Sequence, residues 1–178
     1  VSEEIGLNEV LETNGIEPIE TDLGEYILQL ANETPFHLVA PALHKSKREV
    51  ADLFHRELGT SKKASIGALT LAARKELRGK FLKADMGITG VNFAVAETGT
   101  IALFTNEGNG RMSTSIPRIH MALMGMEKVV PTLEDMAVML RILPRAATGQ
   151  RLTSYVTLVS GPRRPGEEDG PEEFHLVI

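Results

Sequence analysis

The chain has 178 residues, 42% of them hydrophobic, a content that suits one globular domain able to bury most of its apolar surface. Its formal net charge of -5 gives no electrostatic reason to bind a phosphate backbone, so nucleic acid is set aside as a partner. It contains no cysteine, which excludes disulfides, thiolate catalysis and cysteine-ligated metals or clusters from this stretch.

No apolar run approaches the roughly 18 to 20 residues needed to span a bilayer, and the opening Val1-Ser2-Glu3-Glu4 is acidic where a signal peptide is basic. A cytoplasmic location is expected. The chain starts without methionine and stops on the apolar, strand-like Phe174-His175-Leu176-Val177-Ile178, so a segment of a longer protein, truncated at both ends, is the expectation.

Apolar residues Ile5, Leu7, Val10 and Leu11 share a helical face over 3–13, and Asn14-Gly15 supplies a stop. A short strand is predicted over 16–20. Asp22 caps a helix through Ala31 carrying Tyr26, Ile27 and Leu30 on one side, and a strand over 36–40 ends at Pro41. Residues 46–58 form an amphipathic helix with Val50, Leu53, Phe54 and Leu58 inward, closed by Gly59, and 65–82 form another.

From Ile88 the texture changes to glycine-punctuated strands over 91–96, 100–105, 119–124 and 128–130. Helix returns over 132–147, with Met136, Met139, Leu140 and Leu143 spaced for burial and Pro144 expected to kink or end it. Strands over 152–159 and 174–178 complete the pattern, separated by a surface loop rich in proline, glycine and acid over 161–173. Alternating element types define an α/β class, a layered sheet with flanking helices.

Function concentrates in Gly87 to Arg111, which reads GITGVNFAVAETGTIALFTNEGNGR. Gly99 suits a reversal that needs φ > 0, which places Glu97 and Thr98 at a strand end, where α/β sheets present ligands. A plain hairpin turn explains the same residues equally well. Asn106-Glu107-Gly108-Asn109-Gly110-Arg111 follows the next strand: its glycines let backbone N–H groups approach an anion, and Arg111 has the fork geometry for a carboxylate or phosphate. A solvated loop is the plainer reading of that run. No GxGxxG or GxxxxGK[ST] sequence is present, which leaves a Rossmann or P-loop nucleotide site without support.

Five histidines occur without close metal-ligand spacing or an HExxH motif, so no metal site is assigned. His120 opens an apolar strand and is a candidate proton acceptor as well as a candidate core histidine. His37, His44, His55 and His175 read as structural or surface groups. Arg145 complements a helix C-terminus, and Asp169, Glu172 and Glu173 read as a solvated acidic loop.

The stretches EEIGLNEVLETNGIEPIETDLGEYILQLANETPFHLVAPALHK, MGITGVNFAVAETGTIALFTNEGNGRM, ATGQRLTSYVTLVSGPR and DGPEEFHLVI together carry a resemblance that covers essentially the whole chain. The sequence resembles the lactate-utilisation protein B family, iron-sulfur proteins with a LUD domain, as a single LUD-type domain over 1–178. The resemblance implies a fold similar to the NagB/RpiA/CoA-transferase-like superfamily and a role in oxidising L-lactate to pyruvate beside the lactate-utilisation A and C proteins. It also implies two [4Fe-4S] clusters in a ferredoxin-like carboxy-terminal region missing here, and a missing lysine-rich strand before Val1.

Carried over by motif, the resemblance places Thr89, Gly90, Asn92, Thr98, Gly99, Asn106, Glu107, Gly108, Asn109 and Arg111 near a substrate or cofactor pocket for a small carboxylate, with Glu97 and His120 as the catalytic candidates. In the related CoA transferases a glutamate at a comparable turn is a nucleophile, a fold-level likeness that does not transfer the activity. No cofactor is expected within the chain, and whether an organic one binds is open. Two roles follow: a ligand-binding domain of a redox assembly, or a non-catalytic scaffold that binds a regulator or docks partner subunits.

Overall fold

The computed structural model describes residues 5–33 and 41–178, so the strand expected over 36–40, and His37 with it, lie outside the described residues. The chain divides into two compact units, one of Leu11–Leu82 and one of Val1–Val10 with Lys83–Ile178.

The first helix, Leu7–Thr13 (α1), starts later than its apolar spacing predicts because Gly6 takes φ +63°, outside the right-handed region; it stops at Gly15, φ +77°. The strand expected over 16–20 is absent. Side chains replace a neighbouring strand there: Gln29 accepts from the Glu20 N–H (3.0 Å) and donates to the Pro18 carbonyl (2.8 Å). Backbone groups satisfied in this way need no ladder.

Leu23–Ala31 (α2) begins at Asp22, whose carboxylate accepts from the N–H groups of Gly24 and Glu25. Lys47–Leu58 (α3) begins with a capping box between Ser46 and Glu49 and ends on Gly59 at φ +68°. The Ser46 hydroxyl and N–H hold the Glu49 carboxyl below the usual carboxylate range. Ile66–Phe81 (α4) follows the Ser65 cap. The inward faces are kept in part: α2 buries Tyr26 and Ile27 as predicted but Leu28 in place of Leu30, α3 buries Leu53 and Phe54 with Ala51 while Val50 and Leu58 are half-buried, and α4 buries Leu69, Ala73, Leu77 and Phe81.

The larger unit is built around a three-stranded parallel sheet in the order β1-β4-β7, where β1 is Met86–Gly90, β4 is Ile119–Leu123 and β7 is Glu173–Val177. Between these strands the chain makes two excursions that build a second sheet. The first adds Phe93–Val95 (β2) and Thr100–Thr105 (β3) as an antiparallel hairpin and returns through the helix Asn109–Ser115 (α5). The second adds Val129–Val130 (β5), parallel to β2, then Leu133–Thr148 (α6) and Tyr155–Val159 (β6), antiparallel to β3. The second sheet has the order β5-β2-β3-β6.

One core lies between the sheets, joining Ala94, Ile101 and Leu103 to Ala122, Met124, Phe174 and Leu176. The other lies between the second sheet and α6, joining Phe93, Val95 and Ala102 to Met136, Met139 and Leu143. The α/β class is therefore as predicted.

Three details differ from the sequence reading. Met86–Gly90 is a strand of its own, separated from β2 at Asn92, whose side-chain oxygen accepts from the Phe104 N–H at 2.8 Å. The run read as a glycine loop becomes helical at Asn109, against glycine's poor helix propensity, because α5 packs on Gly87: a Cβ there would stand 1.9 Å from the Ser113 carbonyl oxygen. Pro144 lies inside α6 without ending it. It forfeits one N–H near the C-terminus, where Gly149 caps the helix at φ +73°.

Candidate functional site

The residues singled out by sequence fall in five places, one of them Asn92 between β1 and β2, whose side-chain oxygen is taken up by the Phe104 N–H. Glu97, Thr98 and Gly99 form the exposed β2–β3 hairpin turn, with Gly99 at φ +67° and its N–H on the Val95 carbonyl (2.9 Å). The turn is extended by a relay of hydroxyls, Thr98 donating to Thr100 (2.9 Å), which pairs with Ser160 (2.9 Å).

Asn106 and Glu107 lie at the other end of β3, five residue steps or about 17 Å away, so that strand separates the AETGT and NEGN motifs. Asn106 is engaged in a clamp: it exchanges two amide hydrogen bonds with Gln150 (3.0 and 3.1 Å) and accepts from the Ser154 N–H (3.2 Å). Thr148 donates to Gln150 (2.7 Å), and Thr153 donates to the Thr105 carbonyl (2.7 Å). Gly108 is the cap position of α5, and Asn109 turns its side-chain oxygen onto the Gly110 N–H (2.9 Å).

Thr89 and His120 meet inside the parallel sheet, the Thr89 hydroxyl 2.8 Å from His120 Nε2. Gly90 closes the same strand, β1. His120 is 0% exposed, packs on Phe174 with ring centroids 5.3 Å apart, and leaves Nδ1 without a hydrogen-bond partner among the described residues. Burial pushes its imidazole down to about 4, so the ring is neutral at pH 7.

Arg111 lies on a crevice beside the edge strand β6. This opening of about 310 Å³ is bounded by Arg111, Thr114 and Ser115 of α5, by 156–159 of the edge strand β6, and by the loop 161–171. That volume is at the small end of ligand sites. Thr114 is buried and donates to the Arg111 carbonyl (2.9 Å), which fixes the turn that presents the guanidinium.

The ion pairs around the crevice sort its charged groups. Arg163 is held by Glu172 at 2.6 Å, and Glu167 accepts from the Arg164 N–H at 2.6 Å. Arg111 and Asp169 form no ion pair or side-chain hydrogen bond among the described residues, and both line the opening. A second opening of about 420 Å³ is made by residues 163–172 of the loop alone, with its Arg163 already engaged.

Asp169, Ser115 and β6 were not singled out by the sequence as site residues. The hydroxyl run Ser113-Thr114-Ser115, one residue beyond Arg111, was the available signal; nothing in the acidic loop separated Asp169 from its neighbours. Of the other acids there, Glu172 and Glu173 are structural, Arg118 lying 2.6 Å from Glu173 and 3.8 Å from Glu172, whereas Glu168 is exposed and does not line the opening. His44 pairs with Glu33 at 3.0 Å, and His175 with Glu173 at 3.5 Å. Among the described residues no group of acids and histidines is placed to hold a metal ion, and no helix is long and apolar enough to cross a membrane.

Fold and crevice together define an α/β chain with a small, polar opening beside an edge strand. The sequence matches the LUD domain family over residues 3–178, and the chain belongs to that family. It is 55% identical to Lactate utilization protein B of Bacillus licheniformis over 179 residues, 56% to that of Shouchella clausii and 54% to that of Bacillus subtilis, covering 100% of this chain in each case. The chain spans 37 to 38% of the length of these curated relatives. Among solved structures it is similar to a DUF162 family protein from Deinococcus radiodurans, with TM-score 0.41 and 18% identity over 86% of this chain and 92% of that one.

Proposed function

We propose that this chain is the small-carboxylate-binding part of a lactate-utilisation protein and that the crevice at Arg111 receives a 2-hydroxy acid. One observation carries the proposal: an unpaired guanidinium and an unpaired carboxylate, Arg111 and Asp169, line the same small opening. Arg111 offers a bidentate fork to a carboxylate, and Asp169 offers an acceptor to an adjacent hydroxyl. L-lactate presents both groups; pyruvate presents the carboxylate but has no hydroxyl to donate. Similarity to the Lactate utilization B proteins supports the substrate class.

In its finer form the proposal makes this the ligand-binding domain of an iron-sulfur subunit in an assembly that oxidises L-lactate to pyruvate, with the lactate-utilisation A and C proteins as partners. Two electrons and two protons leave lactate in that conversion. The chain has no cysteine to hold a cluster, so its residues do not fit a thiolate-bound centre and no electron step is assigned to them. Glu97 and His120 do not line the crevice and are given no step. The chain's own part is to bind the carboxylate and orient the hydroxyl.

A second reading, a scaffold that docks partner subunits, is favoured by the dispersal of the predicted residues among a hairpin turn, a loop clamp and a buried pair. Lactate turnover in the whole assembly separates the two. Loss of turnover in Arg111→Ala with normal assembly supports binding, and unchanged turnover supports the scaffold.

A further inference from the structure

The outer face of α6 has no counterpart in the crevice. Val138 and Ile142, one turn apart, are 53% and 51% exposed. Arg141 and Arg145 repeat the same spacing beside them, and at 100° per residue all four fall within an arc of about 100°. The opposite side of the helix, through Met136, Met139 and Leu143, is packed on the second sheet.

Arg141, Arg145 and Arg151, just beyond the helix, are exposed and form no ion pair or side-chain hydrogen bond among the described residues. The acids of α6, Glu134 and Asp135, are confined to its first turn, and Asp135 is engaged in the capping box with Thr132. A cationic stripe flanking two aliphatic side chains therefore stands on a chain of net charge -5. Arg145 in the last turn is favoured by the helix dipole, but Arg141 lies a full turn earlier and is not.

We propose that this face docks an amphipathic, acidic segment of a partner protein, its carboxylates on Arg141 and Arg145 and its aliphatic side chains on Val138 and Ile142. Charge complementarity selects the occupant: on an acidic chain this stripe attracts carboxylates and repels other cations. A lipid surface fits less well, since the face has two aliphatic residues and no aromatic one, too little apolar area to insert. The stripe is about 10 Å long, which places the contact in the weak, transient class.

The test titrates the isotopically labelled 178-residue chain, followed by amide chemical shifts, with a 16-residue helical peptide carrying glutamate and leucine each at i,i+4 spacing. A version with lysine for glutamate and vesicles one-third phosphatidylserine are the comparators. The acidic peptide is expected to shift amides over 137–146, with at least fivefold weaker binding after R141E/R145E and after V138S/I142S. Shifts elsewhere, no shifts, equal binding of the lysine peptide, or vesicle binding without peptide binding would overturn the proposal.

Discussion

Asn106 and Gln150 face each other head to head, each amide donating to and accepting from the other across 44 residues of sequence. The pair ties the end of β3 to the turn between α6 and β6, and with Thr148, Thr153 and Ser154 it fixes where the crevice-lining strand begins. Asn106→Ala and Gln150→Ala should each cost about 1 kcal/mol, discounted for their exposure, and the double variant should cost clearly less than the sum. Urea denaturation of the four proteins measures this; strictly additive costs would show that the pair is not coupled.

His120 makes stability depend on pH. Its folded pKa of about 4 lies below the ordinary value of about 6.5, so between those limits the unfolded chain takes up a proton that the folded chain refuses. Its contribution is complete above pH 6.5, falls as pH drops and levels off below about 4, a loss of roughly 3 kcal/mol. Stability curves at pH 7 and 4.5 should therefore converge for wild type and His120→Gln, since the carboxylates common to both cancel. Parallel curves would remove His120 as the cause.

Gly87 separates close packing from mere helix propensity. Gly87→Ala would drive a methyl into the Ser113 backbone, which has no side-chain freedom to yield, and should cost about 3 kcal/mol or prevent folding. Gly79→Ala, in α4 with open space around the added Cβ, should instead stabilise by roughly 0.5–1 kcal/mol. Thermal melts report both signs.

These contrasts show what the sequence made legible. Helices α2, α3, α4 and α6 announce themselves through 3.6-residue spacing and side-chain caps at Asp22, Ser46, Ser65 and Thr132, all local signals. Strand β3 and the turn at Gly99 are equally local. What stayed hidden depends on distant partners: Gln29 removed the strand expected over 16–20, and Gly87 made room for a helix where glycine and asparagine suggest a loop. For the proposed site, Arg111 was singled out in the sequence, whereas Asp169 needs the fold to bring the loop 161–171 against α5. The motifs AETGT and NEGN read as one site because they are near in sequence; the length of β3 holds them apart.

Asp169 gives the proposed site its selectivity. Asp169→Asn removes the charge but keeps an oxygen, so lactate affinity should fall about three- to tenfold, while pyruvate affinity holds or rises as a nearby negative charge is lost. Equal losses for both ligands would assign Asp169 to loop structure instead.

The most direct test of the crevice is calorimetric titration of the chain with L-lactate, alongside Arg111→Ala, Arg111→Lys and Glu97→Gln. The account predicts saturable lactate binding that drops at least tenfold in Arg111→Ala, drops less in Arg111→Lys, and is untouched in Glu97→Gln. Lactate binding that survives Arg111→Ala but disappears in Glu97→Gln would contradict it and move the site to the hairpin turn.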